Sequence, residues 1–243
     1  MIQDARERLI FALDVDSLDE AGRWVRLLRD QVGIFKVGKQ LFTRCGPDVV
    51  RMIREQGGEV FLDLKFHDIP NTVACAAVEA GRLGVRMFNV HALGGAAMME
   101  QAAAAVKEQA AGGSAKALLL GVTILTSSSD MTLREVGIER PVSEMVPLLA
   151  SLACRSGLDG VVASPLEVGL IRQLCGPDFA IVTPGVRPDF AARNDQCRTM
   201  TPAGAIAAGA DYLVVGRPIS QAPDPLEAAE RIVAEMAAAL EGR

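Results

Sequence analysis

Paired cysteines, long apolar runs, aromatic side chains and excess positive charge are all scarce in this 243-residue chain. The five cysteines, Cys45, Cys75, Cys154, Cys175 and Cys197, are odd in number and widely spaced with no CxxC pair. That excludes a disulfide framework and a zinc knuckle, and predicts reduced thiols in the cytoplasm. The longest apolar stretch, near Ala117 to Leu125, is broken by Gly121 and Thr123, and no basic-then-apolar leader precedes the first strand-like run at Leu9. Neither a membrane span nor a signal peptide is expected. A net charge of -5 and a pI near 5.2 exclude a general nucleic-acid or membrane-surface binder, which would present a net basic face. An anionic substrate would therefore need a local basic pocket. The two histidines, His67 and His91, lack HxxxH or HxH spacing, so no metal site is expected.

What the chain does have is alternation. Short apolar runs, each followed by a turn signal and an amphipathic stretch, predict strands at Leu9 to Leu13, Ile34 to Val37, Val60 to Leu64, Met87 to Val90, Leu118 to Thr123, Gly160 to Ala163, Ala180 to Thr183 and Tyr212 to Val215. Helices are predicted over Leu18 to Arg29, Pro47 to Gln56, Pro70 to Gly81, Ala96 to Gln109, Val142 to Ser156, Pro165 to Leu174, Pro202 to Ala208 and Pro225 to Leu240. Pro70, Pro165, Pro202 and Pro225 fit the first helical position, while Gly57, Gly81, Gly157 and Gly209 fit the position just past a helix end. Eight strand-helix units without a composition break predict an α/β fold, a (β/α)8 TIM barrel forming a single domain over residues 1–243. A doubly wound open sheet shares the local pattern, and the count of eight decides between them.

In such a barrel the reacting groups sit where the strands end, and these ends are polar. Asp14 follows the first strand, Lys36 lies in the second, and the third runs into Asp63-Leu64-Lys65-Phe66-His67-Asp68-Ile69-Pro70-Asn71-Thr72. The fourth ends at Asn89 and His91, and the fifth leads to Thr123, Thr126 and Ser127. In an extended chain Asp63 and Lys65 project to the same side, about 6.6 Å apart. An ammonium inside the apolar run Ile34-Phe35-Lys36-Val37 is costly unless paired, and Asp14 and Asp63 on the flanking strands are its natural partners. The expected result is a formally neutral lattice of alternating Asp and Lys that presents fixed charges to a reacting group.

A second anchor follows the eighth strand, where Val215-Gly216-Arg217-Pro218 turns tightly into a short helix. Backbone N–H groups there, with the Arg217 fork, suit a phosphate, and barrels hold phosphate after strands seven and eight. Arg187 and Gln196, in the long polar loop from Pro184 to Thr199, are placed to close over it.

With these motifs the chain resembles the orotidine 5'-monophosphate decarboxylase family over nearly its whole length. The resemblance runs through FALDVD at 11–16, FKVGKQLF at 35–42, DLKFHDIPNT at 63–72, LGVTILTS at 120–127, TPGVRP at 183–188 and DYLVVGRPI at 211–219. It implies a homodimeric barrel that decarboxylates orotidine 5'-monophosphate without cofactor or metal, the last step of de novo pyrimidine synthesis. On that resemblance Lys65 matches the proton donor, Asp63 the carboxylate facing the departing group, and Lys36 with Asp14 the ribose contacts. Asp68 and Thr72 match residues delivered into the partner subunit's site. Thr126 with Ser127 matches the pyrimidine contact, and Arg187, Gln196, Gly216 and Arg217 the phosphate grip. The segment Asn194-Asp195-Gln196-Cys197-Arg198 departs from the family's usual Asp-Asp-Gln-Lys-Arg, which alters lid charge.

Two other readings share these features. The magnesium-dependent hexulose-phosphate synthases and ketogulonate-phosphate decarboxylases of the same superfamily carry DxKxxD, but typically place a carboxylate where Lys36 stands, and a lysine there would repel the metal. A non-catalytic phosphosugar-binding barrel would have no need of the full set Asp14, Lys36, Asp63, Lys65 and Asp68.

Overall fold

The computed structural model describes residues 1–111, 113, 115–190 and 200–242. Its strands are β1 Leu9–Leu13, β2 Ile34–Gly38, β3 Glu59–Phe66, β4 Met87–His91, β5 Leu118–Val122, β6 Gly160–Val162, β7 Ala180–Thr183 and β8 Tyr212–Val215. All pair in parallel with their sequence neighbours, and β1 pairs with β8 (Leu9 opposite Leu213) to close the barrel. The helices are α1 Ile2–Arg8, α2 Leu18–Leu28, α3 Lys39–Cys45, α4 Asp48–Glu55, α5 Pro70–Arg82, α6 Gly95–Ala111, α7 Asp130–Glu135, α8 Val142–Arg155, α9 Val168–Cys175, α10 Pro202–Ala208, α11 Arg217–Ser220 and α12 Pro225–Glu241.

The two-residue period of each strand divides its side chains between two cores. Outward-facing Leu9, Phe11, Phe35, Val60, Leu62, Phe88 and Val215 pack under the helices. Inward-facing Ile10, Ala12, Ile34, Phe61, Met87, Leu120, Val182 and Val214 fill the barrel as a separate cluster. Following that inward face upward gives the polar residues their place. Lys36 is two residues beyond Ile34, Asp63 two beyond Phe61, and Asn89 two beyond Met87. The barrel is thus apolar below and charged at the C-terminal rim.

Helix boundaries follow local chemistry. The Ser17 hydroxyl accepts the Glu20 N–H at 3.2 Å, Thr201 accepts from Gly204 at 3.1 Å, and Asp224 accepts from both Leu226 and Glu227. Pro70, Pro165, Pro202 and Pro225 begin their helical segments, and Gly57, Gly157 and Gly209 take positive φ beyond helix ends, as their sequence positions predict. Gly81 does not. It lies inside α5, whose exit is made by Gly84 at φ +72°, and its missing side chain leaves room for Gln109 of α6. Three short helices, α1, α3 and α7, add to the pattern expected from periodicity. At six or seven residues, each is too short to show an amphipathic repeat.

Candidate active site

β3 departs from its ladder where the charges gather. Leu62 pairs with Phe88 and Phe66 with Val90, so Asp63, Leu64 and Lys65 together stand opposite the single residue Asn89. Among the described residues Lys65 is the one non-glycine residue at positive φ, +55°, a conformation that costs about 1–2 kcal/mol for an L side chain. The regular extended geometry expected for Asp63 and Lys65 is therefore replaced by a bulge. The bulge brings the two side chains together: Lys65 Nζ lies 2.5 Å from Asp63 Oδ1.

The lattice expected from sequence is present. Lys36 Nζ lies 3.1 Å from Asp14 Oδ1 and 3.7 Å from Asp63 Oδ2, giving the order Asp14, Lys36, Asp63, Lys65 with alternating sign. The side chains of Lys36 and Asp63 are 13% and 14% exposed, whereas Asp14 is 69% exposed. An exposed pair such as Asp14 with Lys36 contributes about 0–1 kcal/mol, and the inner pairs must first offset several kcal/mol of desolvation per ion. Stability does not account for such a cluster. A fixed field across a reacting group does.

A cavity of about 230 Å³ opens over Lys36, Asp63 and Lys65. Val122, Ile124, Val162, Pro184 and Val214 form apolar walls, and Thr126 and Ser127 lie at its margin. A larger cavity of about 610 Å³ lies at the opposite, N-terminal end, beside α1. There Arg8 pairs with Asp4 at 2.9 Å and approaches Asp211 at 3.9 Å, and Asp211 pairs with Arg172 at 2.5 Å. Those charges join α1, β8 and α9, a scaffold role expected of the closed end of a barrel. The smaller cavity is the candidate active site.

Gly216 precedes α11 at the end of β8; a Cβ there would sit 3.3 Å from the Ala12 Cβ and 3.8 Å from Asp14 Oδ2, so the turn packs directly against the charged rim. Arg217 opens α11 and is half-buried. Arg187 is buried, with Nη1 donating to the Val186 carbonyl at 2.9 Å. Val186 bridges Met200, the Arg187 N–H donates to the Met200 carbonyl at 3.0 Å, and Phe190 lies under the Arg231 guanidinium at 4.3 Å. Gln196 lies outside the described residues.

Asp68 and Thr72 are not gathered into this cavity. Both are exposed at the start of α5, and the Asp68 Oδ1 accepts the Ile69 N–H at 2.6 Å; among the described residues Asp68 makes no ion pair. Ile69 between them is 66% exposed. Thr123 is structural, its hydroxyl donating to the Val162 carbonyl at 3.1 Å.

Sequence reasoning noted Asn89 and His91 as polar strand ends without assigning them a site role. Asn89 is fully buried and bonds both Asp63 and Lys65. His91, one inward position further, stacks near His67 with ring centroids 5.5 Å apart. Burial above all, with the charges of His67, Lys39 and Lys65, lowers its pKa from 6.5 to about 4 against the opposing pull of Asp63. The imidazole is neutral at physiological pH. Its position two residues beyond Asn89 on an inward face was the available signal. Among the described residues no group of three or more His, Cys, Asp or Glu side chains is placed to hold a metal ion.

Comparison with known proteins adds to this geometry. The sequence model of the family described as "Orotidine 5'-phosphate decarboxylase / HUMPS family" matches residues 7–232. The chain is 74% identical over 242 residues to a protein of Syntrophotalea carbinolica named orotidine 5'-phosphate decarboxylase, covering 99% of each. It is 63% identical to the protein of that name from Geobacter sulfurreducens, covering 96% of this chain and 98% of the other. Among solved structures, the orotidine 5'-phosphate decarboxylase of Lactobacillus acidophilus superposes with a TM-score of 0.83 at 40% identity, over 94% of this chain and 98% of the other.

Proposed function

This chain belongs to the orotidine 5'-phosphate decarboxylase / HUMPS family, and from that premise we propose that it converts orotidine 5'-monophosphate to uridine 5'-monophosphate and carbon dioxide. The observation that carries the reading is the alternating lattice of Asp14, Lys36, Asp63 and Lys65 beside one cavity at the C-terminal rim.

The chemistry needs such a lattice. Cleavage of the bond from C6 to the carboxylate leaves an electron pair in the ring plane, where the π-system cannot delocalise it. An ammonium about 4 Å away supplies roughly 4 kcal/mol at an effective dielectric near 20, well short of the roughly 20 kcal/mol that the hardest reactions demand. One charge is insufficient, so the field must be preorganised and the substrate's remote groups must contribute. Asp63 faces the substrate carboxylate and opposes its charge; its loss as neutral carbon dioxide relieves that opposition, and the apolar wall of Val122, Ile124 and Val162 accepts a neutral product. Lys65 then transfers a proton from Nζ to C6, closing the electron balance, and regains one from water. Lys36 and Asp14 hold the ribose, and Thr126 and Ser127 the pyrimidine. Gly216, Arg217, Arg187 and Gln196 hold the phosphate, whose binding favours closure of the loop after β7.

The reaction proceeds without cofactor or metal. Two ammonium groups, Lys36 and Lys65, flank Asp63 and would repel a divalent cation at that carboxylate, which is the physical objection to a magnesium-bound enediolate in this site. The active form is a cytoplasmic homodimer in which Asp68 and Thr72 complete the partner's site. Their exposure beside uncovered Ile69 supports this reading.

Purified protein treated with a chelator and supplied with orotidylate provides the test. Steady loss of orotidylate absorbance is the expected result. Restoration of activity only by magnesium would favour the metal-dependent lyases, and uridylate binding without turnover would favour a binding barrel.

A further inference from the structure

Asn89 bonds the Asp63 carboxylate and the Lys65 backbone N–H yet does not line the cavity. Its Nδ2 donates to Asp63 Oδ1 at 2.7 Å, and its Oδ1 accepts the Lys65 N–H at 2.8 Å. A bulge strips backbone groups of their ladder partners, and the Lys65 N–H is one of them. A side-chain amide donates and accepts at once, so it can close both ends of this gap; a carboxylate only accepts, and an aliphatic side chain does neither. Full burial keeps water from substituting for it.

We propose that Asn89 is a positioning residue for the decarboxylation. It holds Lys65 in its left-handed conformation and orients the Asp63 carboxylate, with Oδ1 toward the Lys65 ammonium and Oδ2 toward Lys36. The proposal rests on the decarboxylase reading above. Because Asn89 stands behind the reacting pair and not against the substrate, its loss displaces the chemistry and leaves nucleotide binding in place.

Two full-length variants test this through kcat, KM, competitive inhibition by uridylate and thermal melting. Asn89→Asp keeps the size and the acceptor for the Lys65 N–H but sets a carboxylate against Asp63. Asn89→Leu removes both bonds. A misplacement of about an ångström costs on the order of 10²-fold in rate, so kcat is expected to fall by at least about that factor in each. KM and the uridylate inhibition constant stay within about threefold of wild type, the signature of an interaction felt mainly in the transition state.

A folded variant of either kind with kcat within about threefold of wild type overturns the proposal, as does a loss in which uridylate affinity falls in step with kcat. If Asn89→Leu does not melt cooperatively, Asn89→Asp decides by the same criteria. Failure of both to fold assigns Asn89 to the scaffold and also overturns it. Wild-type protein inert toward orotidylate refutes the decarboxylase reading; active wild type with unaffected variants refutes the role of Asn89 alone.

Discussion

In the proposed reaction Lys65 and Arg217 divide the work at the level of single residues, one moving a proton and the other holding a remote anion. Removing the proton donor with Lys65→Ala is expected to lower kcat by at least about 10³-fold, since acid catalysis and charge stabilisation are lost together. Arg217→Ala forfeits a charge-assisted phosphate bond of about 1.5–3 kcal/mol and is expected to raise KM by about 10- to 100-fold with a smaller change in kcat. Steady-state kinetics separate the two, and equal mild defects would contradict the assignment. His91 carries a different signal. The unfolded chain protonates this imidazole near pH 6.5, the folded chain only near pH 4 because it is buried, so between those values the unfolded state binds more protons. Stability from this group is complete above about pH 6.5 and declines as pH falls toward 4. The urea midpoint of His91→Gln is therefore expected to depend less on pH across that window than the wild-type midpoint; parallel curves would contradict it. Lys65, Asp63 and Lys36 were legible as a set because charges at the ends of apolar runs are conspicuous. Asn89 was not, because a neutral amide ending an apolar strand looks like any polar terminus until its neighbours are placed.

Elements were legible in proportion to their length and burial. Every strand was foreseeable from its short apolar run, and β1, β7 and β8 begin and end where the sequence pattern puts them. The bulge in β3 was not, since strand pairing is a relation between segments that neither segment states alone. Glycines show the same division. Gly160 and Gly81 look alike in sequence, but a Cβ on Gly160 would meet the Ala180 carbonyl oxygen of β7 at 2.2 Å, whereas one on Gly81 would meet only the far end of the Gln109 side chain. Gly160→Ala is expected to destabilise the fold by about 1–3 kcal/mol or more, at about 2–4 °C of Tm per kcal/mol in a chain of this size. Gly81→Ala is expected to change stability by less than about 1 kcal/mol, because Gln109 can swing away and alanine favours the helix. Thermal or urea melting compares them directly, and similar losses in both would contradict the packing argument.

For the whole molecule, the exposed position of Asp68 and Thr72 predicts active sites shared between subunits. Lys65→Ala and Asp68→Ala subunits, each inactive alone, are expected to recover about a quarter of wild-type activity when unfolded and refolded together in equal amounts. Half of a random mixture is hybrid, and each hybrid dimer of two-fold symmetry holds one intact site. No recovery would place Asp68 in its own barrel or nowhere in the reaction. The identity of the fold and the charges that gather at its rim followed from the linear chain, because periodicity, proline and glycine punctuation and stranded charges are local properties that burial enforces residue by residue. The order Asp14, Lys36, Asp63, Lys65 as a physical contact series, the left-handed turn at Lys65 and the service of Asn89 to both its neighbours arose only on closing the barrel. Closure sets the register among β1, β2, β3 and β4, and distances of 2.7–3.7 Å between groups 22 to 27 residues apart exist only once that register is set.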